Sequence, residues 1–147
     1  MINLQDNVGK YLTQSWRHMQ TYIATRIEPL HIGVGQYVYL IRLYNEDGQS
    51  QQCLSNGLMV DKAATVRSIN KLEQTGYVYR APDPADKRSY KIYLTEKGRN
   101  IRPELESILE EMLAVLLKDL STVEGELLKN LLRQVAENIV ASVRGNS

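Results

Sequence analysis

Residues 77–95, YVYRAPDPADKRSYKIYLT, restrict the fold more than any other stretch of the chain. Apolar and polar residues alternate on either side of PDPADKRS, a run of turn formers, which predicts a β-hairpin with strands in YVYRA and YKIYLT. Everywhere else the apolar spacing is helical. Apolar residues recur at 8, 12, 16, 19, 23, 27 and 30, marking one face of a long helix from Val8 to Leu30 that Pro29 should end or bend. GVGQYVYLIRLYNEDG predicts a second helix over 34–44, stopped by the turn NEDG. SQQCLSNGL predicts a short third helix with Ser50 as its N-cap. MVDKAATVRSINKLEQTG predicts a fourth, capped by Asp61 and ended at Gly76, with Thr65, Ile69 and Leu72 facing inward and Ser68 at the margin.

After the hairpin, Thr95 can cap a return to helix. Ile101, Leu105, Ile108, Leu109, Met112 and Leu116 form one stripe, and Leu127, Leu128, Leu131, Leu132, Val135, Ile139 and Val143 another. Between them, Ser121 and Glu124 have capping-box spacing. The fold class is therefore mainly α with one small β-hairpin. A chain of 147 residues builds one ordinary core, and that core cannot easily cover the first helical stripe and both of the last two. A helical dimer interface would cover them.

Composition narrows the class further. With 43% apolar and 24% charged residues the chain is typical of globular proteins. No apolar run approaches the roughly 20 residues of a membrane helix. MINLQDNVGK lacks the basic-then-apolar layout of a signal peptide, and the single cysteine, Cys53, has no internal partner, so a cytoplasmic protein without membrane contact is expected. The net charge of +1 hides an asymmetry. Residues 61–100 hold nine basic side chains against five acidic ones, a net of +4, whereas residues 101–147 hold five against eight, a net of −3. Concentrated positive charge of this kind is the footprint of a phosphate-binding surface.

A short helix, a tight turn and a second helix with a small or basic outer face make the layout of a helix-turn-helix. Ala63 and Ala64 let the helix backbone approach base edges, Arg67 reaches guanine acceptors or phosphates, and Val66 meets a thymine methyl. Lys62 and Lys71 are placed for phosphates. The hairpin adds a second reader: Arg88 can enter a narrow, electronegative minor groove, with Lys87 on a neighbouring phosphate.

INKLEQTGYVYRAPDPADKRSYKIYLTEKGR resembles the signature of the MarR family of winged helix-turn-helix transcriptional regulators. The matching parts are Leu72, Gly76, Arg80, the Asp86-x-Arg88 wing and the exit Leu94-Thr95-x-x-Gly98; PLHIGVGQYVYLIRLY also resembles the family's second-helix entry. The resemblance implies a homodimer on a pseudo-palindromic operator, with dimerisation helices in 1–32 and 100–147 and a winged helix-turn-helix lobe in 33–99. It implies that Arg88 enters the minor groove and that Asp86 braces the wing through a salt bridge. It also implies a repressor released by a small phenolic or anionic ligand, for which Trp16, His31 and Tyr37 are the pocket candidates. The sequence departs from the family at Met59, where the turn usually carries glycine, and at Ser68, usually apolar. Nine tyrosines with no phenylalanine supply hydroxyl handles.

Other chemistries find little support. Family members that sense peroxide do so through a cysteine in the N-terminal helix, whereas Cys53 lies before the turn and reads as a small, partly buried thiol. His18 and His31 are the only histidines, and no metal-ligand spacing surrounds them, so neither a metal nor a cofactor is expected. No phosphate loop, nucleophile elbow or metalloprotease motif is present, and an enzyme is not expected. The competing reading is a winged-helix module that binds protein and senses no ligand.

Overall fold

The computed structural model describes residues 1–145, so positions 146 and 147 of the predicted C-terminal helical region lie outside the described residues. Seven helices and three short strands follow in the order α1 (Val8–Ile27), α2 (Tyr37–Asn45), β1 (Gln49–Ser50), α3 (Gln51–Leu58), α4 (Lys62–Gln74), β2 (Val78–Asp83), β3 (Asp86–Leu94), α5 (Glu96–Asn100), α6 (Arg102–Leu116) and α7 (Thr122–Gly145). The chain divides into two compact units, Met1–Met112 and a second from Leu113 onward.

In the first unit, Ile23, Ile27, Leu40, Leu43, Leu54, Ile69, Leu72, Ile92 and Leu105 are fully buried in one cluster. Each such side chain contributes about 1.5–3 kcal/mol by leaving water. The inward stripe of α4 is Thr65, Ile69 and Leu72, as its spacing predicts. Local caps fix the helix starts: the side chains of Asn7, Ser50, Asp61 and Thr95 accept from the amides of Lys10, Cys53, Ala64 and Gly98. At the exit Leu94-Thr95-x-x-Gly98, a Cβ on Gly98 would lie 2.3 Å from the Tyr77 carbonyl oxygen, so only glycine lets α5 start against the backbone that leads into β2.

The first helix ends at Ile27 rather than Leu30, because Pro29 turns residues 28–30 into a 3₁₀ turn. The second begins at Tyr37, three residues later than its pattern suggests. There the Gln36 side chain accepts from Gly33 N–H at 2.9 Å and the Gln36 N–H donates to Gly33 O at 2.9 Å, making a turn where helix was expected.

The hairpin also differs from expectation. Its strands run on to Asp83 and from Asp86, leaving Pro84 and Ala85 as the turn. A third strand, β1, joins the opposite edge of β3 to give the order β1-β3-β2, with Gln49 opposite Ile92. Asp47 holds that edge: its Oδ1 accepts from Leu94 N–H at 2.9 Å and from Gly48 N–H at 3.0 Å.

In the second unit, Ser121 and Glu124 form the predicted capping box, the Ser121 amide donating to Glu124 Oε1 at 2.9 Å and the Glu124 amide to Ser121 Oγ at 3.1 Å. No residue of α7 is buried, and Val123, Leu127, Leu131, Ile139 and Val143 are all exposed. No helix among the described residues is long and apolar enough to cross a membrane.

Candidate nucleic-acid interface

The turn between α3 and α4 is held by Val60, whose N–H donates to Ser55 O at 3.0 Å and whose carbonyl accepts from Ser55 Oγ at 2.5 Å. Met59 takes the left-handed position of that turn, φ 55°. A residue with a Cβ pays about 1–2 kcal/mol there. Beyond the turn, the outer face of α4 presents Lys62, Ala63, Arg67 and Lys71, all exposed, with Val66 half-buried beside them. These positions lie opposite the buried Thr65, Ile69 and Leu72, so one helix joins a core-facing side to a small, basic outer side.

Arg80 ties this helix to the wing. Its guanidinium donates to Asn70 Oδ1 at 2.5 Å and lies 3.6 Å from Glu73 Oε1, both on α4. With the Gln51 amide oxygen turned toward it, Arg80 also donates to α3 at 3.0 and 3.2 Å. As a motif position in the sequence, Arg80 had no such role; the three partners become neighbours only on folding.

The wing itself is irregular in a specific way. Pro82 pairs with Tyr90, but Asp83 pairs with Asp86, where a continuous register would give Ser89. Lys87, Arg88 and Ser89 are thereby bulged out of the ladder. Two aspartates shape the tip: Asp83 Oδ1 accepts from Ala85 N–H at 2.9 Å, and Asp86 Oδ1 accepts from Arg88 N–H at 3.0 Å. The Arg88 Nε also lies 3.6 Å from Asp86 Oδ1, while the Arg88 side chain is 94% exposed and Lys87 is exposed beside it. An ion pair this exposed contributes at most about 1 kcal/mol, so Asp86 acts mainly on the local backbone and Arg88 stays free to reach outward.

Behind α4 lies a cavity of about 360 Å³ whose walls include Trp16, Met19, Ile23, Tyr37, Ala64 and Ser68. Trp16 and Tyr37 therefore share one wall, but His31 does not line it; His31 is exposed, in a left-handed conformation after the 3₁₀ turn. Burial raises the Tyr37 phenol above its usual pKa, which keeps a neutral hydroxyl at the cavity. Among the described residues no Lys, Arg or His lines the cavity, so a phenol fits its chemistry and a carboxylate would lose its hydration there without a counter-charge from them. Tyr39, a further wall residue, meets Thr65 of α4 through a buried hydroxyl pair at 3.0 Å, and Ser68 Oγ donates to Gly35 O at 3.2 Å.

Cys53 is exposed, not partly buried: it follows the Ser50 cap on the side of α3 away from Leu54 and Ser55. Among the described residues no cluster of three or more His, Cys, Asp or Glu side chains could hold a metal.

Comparison with known proteins decides the family. The MarR family model matches residues 32–90. The HTH-type transcriptional regulator YybA of Bacillus subtilis (strain 168) is 36% identical over 105 residues, spanning 71% of this chain and 70% of that protein. The chain belongs to the MarR family. A MarR transcriptional regulator from Methanosarcina mazei Go1 has a similar crystal structure, with TM-score 0.81 and 40% identity over 89% of this chain and 94% of that one. A MarR-family regulator from Listeria monocytogenes, solved in complex with a 26mer DNA, superposes with TM-score 0.85 at 26% identity over 93% of this chain and 91% of that one. This MarR-family chain is thus a DNA-binding transcription regulator on a winged-helix fold, of a family that acts by regulating transcription and not by catalysis.

Proposed function

We propose that two copies of the chain form a homodimer that binds a pseudo-palindromic operator as a repressor and leaves it when a small neutral aromatic ligand enters the cavity behind α4. The observation that carries this reading is the joining, through Arg80, of a basic outer helix face to a wing whose bulge holds Arg88 in solvent. On DNA, α4 enters the major groove with Arg67 and Val66 on base edges, Ala63 permitting close approach and Lys62 and Lys71 on phosphates. Arg88 probes the adjacent minor groove, Lys87 contacts a phosphate, and Asp86 keeps the wing backbone in shape.

In this reading residues 33–99 form the DNA-binding lobe, and 1–32 and 100–147 supply dimerisation helices. The exposed Val8 and Trp16 of α1 and the exposed apolar face of α7 support it, since a soluble chain seldom leaves so many large apolar side chains uncovered. Ligand release works through the cavity wall: Ala64 and Ser68 belong to the DNA-reading helix, so an occupant that needs more room displaces α4.

Light scattering on the protein with a duplex taken from upstream of its own gene tests the stoichiometry. The expected result is two chains per duplex and a dimer without DNA. A monomer that ignores duplex DNA would refute the proposal.

A further inference from the structure

Arg42, in the last turn of α2, lays its guanidinium over Gly57 of α3. A Cβ at 57 would stand 2.3 Å from Arg42 Cζ, 2.4 Å from Nη2 and 2.5 Å from Nε, so glycine is what admits the arginine there. The Arg42 Nε is buried and hydrogen-bonds to no group among the described residues. No ion pair joins Arg42 to Glu46 one turn further on, or to any other described carboxylate. A permanently charged, partly desolvated guanidinium without an ion pair is costly; the buried Nε is out of a ligand's reach, but an anion against the part of the side chain that lines the neighbouring groove would offset that cost.

The guanidinium borders a groove of about 620 Å³ that also includes Ser50, Cys53, Asn56, Gly57 and Lys91. Lys91 stands on β3 opposite Ser50 of β1 and makes no ion pair among the described residues. Ser50 caps α3, so the positive N-terminal end of that helix borders the same groove. The wall is firm: the buried Gln49 donates from Nε2 to the Arg42 carbonyl at 3.2 Å and to the Glu46 carbonyl at 2.6 Å. Two carboxylates also face the groove. Asp83 is engaged by the Ala85 N–H in the wing turn, and Glu46 is exposed at the end of α2. They offset the two cations in net charge, so recognition rests on the shape of the guanidinium fork and not on the overall field.

We infer that this groove binds a phosphate-type oxyanion, gripped by the Arg42 fork with Lys91 as second cation. Two sources share that chemistry: a phosphate of the DNA backbone and a free phosphorylated small molecule. The groove lies away from the cavity behind α4 and does not depend on ligand release there.

Cys53, the only cysteine, is exposed in the groove, and its rate of alkylation by iodoacetamide reports occupancy in the full-length protein. Inorganic pyrophosphate should slow alkylation more than sodium chloride at equal ionic strength. Arg42→Gln should weaken that protection about tenfold or more, the loss of a charged hydrogen-bond partner. Lys91→Ala, which removes no buried group, should weaken it less, and Gly57→Ala should weaken it by pushing the guanidinium aside without changing charge. If DNA is the source, a random duplex of about 30 base pairs protects Cys53, and Arg42→Gln lowers the slope of log affinity against log salt by about one. Protection by pyrophosphate alone assigns the site to a free anion, and protection by the duplex alone to the backbone. Failure of both to exceed the chloride control, or equal protection in folded Arg42→Gln and Lys91→Ala variants, would overturn the inference.

Discussion

The hydroxyl pair between Tyr39 and Thr65 allows a test in which the order of three numbers matters more than their size. Both residues are 1% exposed and their hydroxyl oxygens lie 3.0 Å apart. Thr65→Val keeps the side-chain shape and removes the only partner that the Tyr39 hydroxyl has among the described residues. Stranding that buried group costs about 1–3 kcal/mol. At about 2–4 °C per kcal/mol for a chain of this length, Tm should fall by roughly 2–12 °C. Tyr39→Phe should cost less, about 0.5–1 kcal/mol, because a helical threonine hydroxyl can turn to the carbonyl four residues back, here that of Asp61. The double variant should be no less stable than Thr65→Val alone, since replacing both partners leaves nothing unsatisfied. Thermal and denaturant unfolding followed by circular dichroism, at one fixed protein concentration, gives all three values. Costs that simply add, with a coupling below about 0.3 kcal/mol, would refute the reasoning.

Other outcomes follow from single interactions. Arg80→Met removes partners on α3 and α4 together, so amide exchange across Val78–Leu94 should accelerate and stability should fall by about 1–2 kcal/mol; unchanged exchange would mean that the arginine does not hold the wing. Glu124 is held below the usual carboxylate range by hydrogen bonds with Ser121. A depressed folded-state pKa gives stabilisation that is present at neutral pH and lost as pH falls below about 4.5, so the start of α7 should fray in acid. Glu124→Gln should flatten that pH dependence of amide exchange, and an unchanged acid profile would contradict it.

What could be read from the sequence was mostly local. Ser50, Asp61 and Thr95 cap their helices because each bond spans only three residues, and Thr65, Ile69 and Leu72 face inward because helical periodicity dictates it. The outer face of α4 follows by elimination, so the exposure of Lys62, Ala63, Arg67 and Lys71 was legible from the spacing. β1 escaped notice because two residues carry no alternation; Asp47 and the β3 edge create it. The wing bulge escaped because register depends on both strands, and its three extra residues lie between Asp86 and Tyr90. Arg42 gave no signal, since its position over Gly57 joins two helices that the sequence keeps apart. The cavity was half legible: Trp16 and Tyr37 line it, but its other walls come from segments distant in the chain, and His31 turns out to solvent.

The central claim is that α4 and the wing read duplex DNA together. Fluorescence anisotropy should follow the wild type and the Arg67→Ala and Arg88→Ala variants on the upstream duplex from about 50 to 200 mM salt, where phosphate-driven binding loses affinity steeply. The account predicts that Arg67→Ala costs about 1–3 kcal/mol and relaxes base preference, and that Arg88→Ala weakens binding most where the minor groove is narrow. Wild-type affinity and an unchanged salt slope in both variants would contradict it.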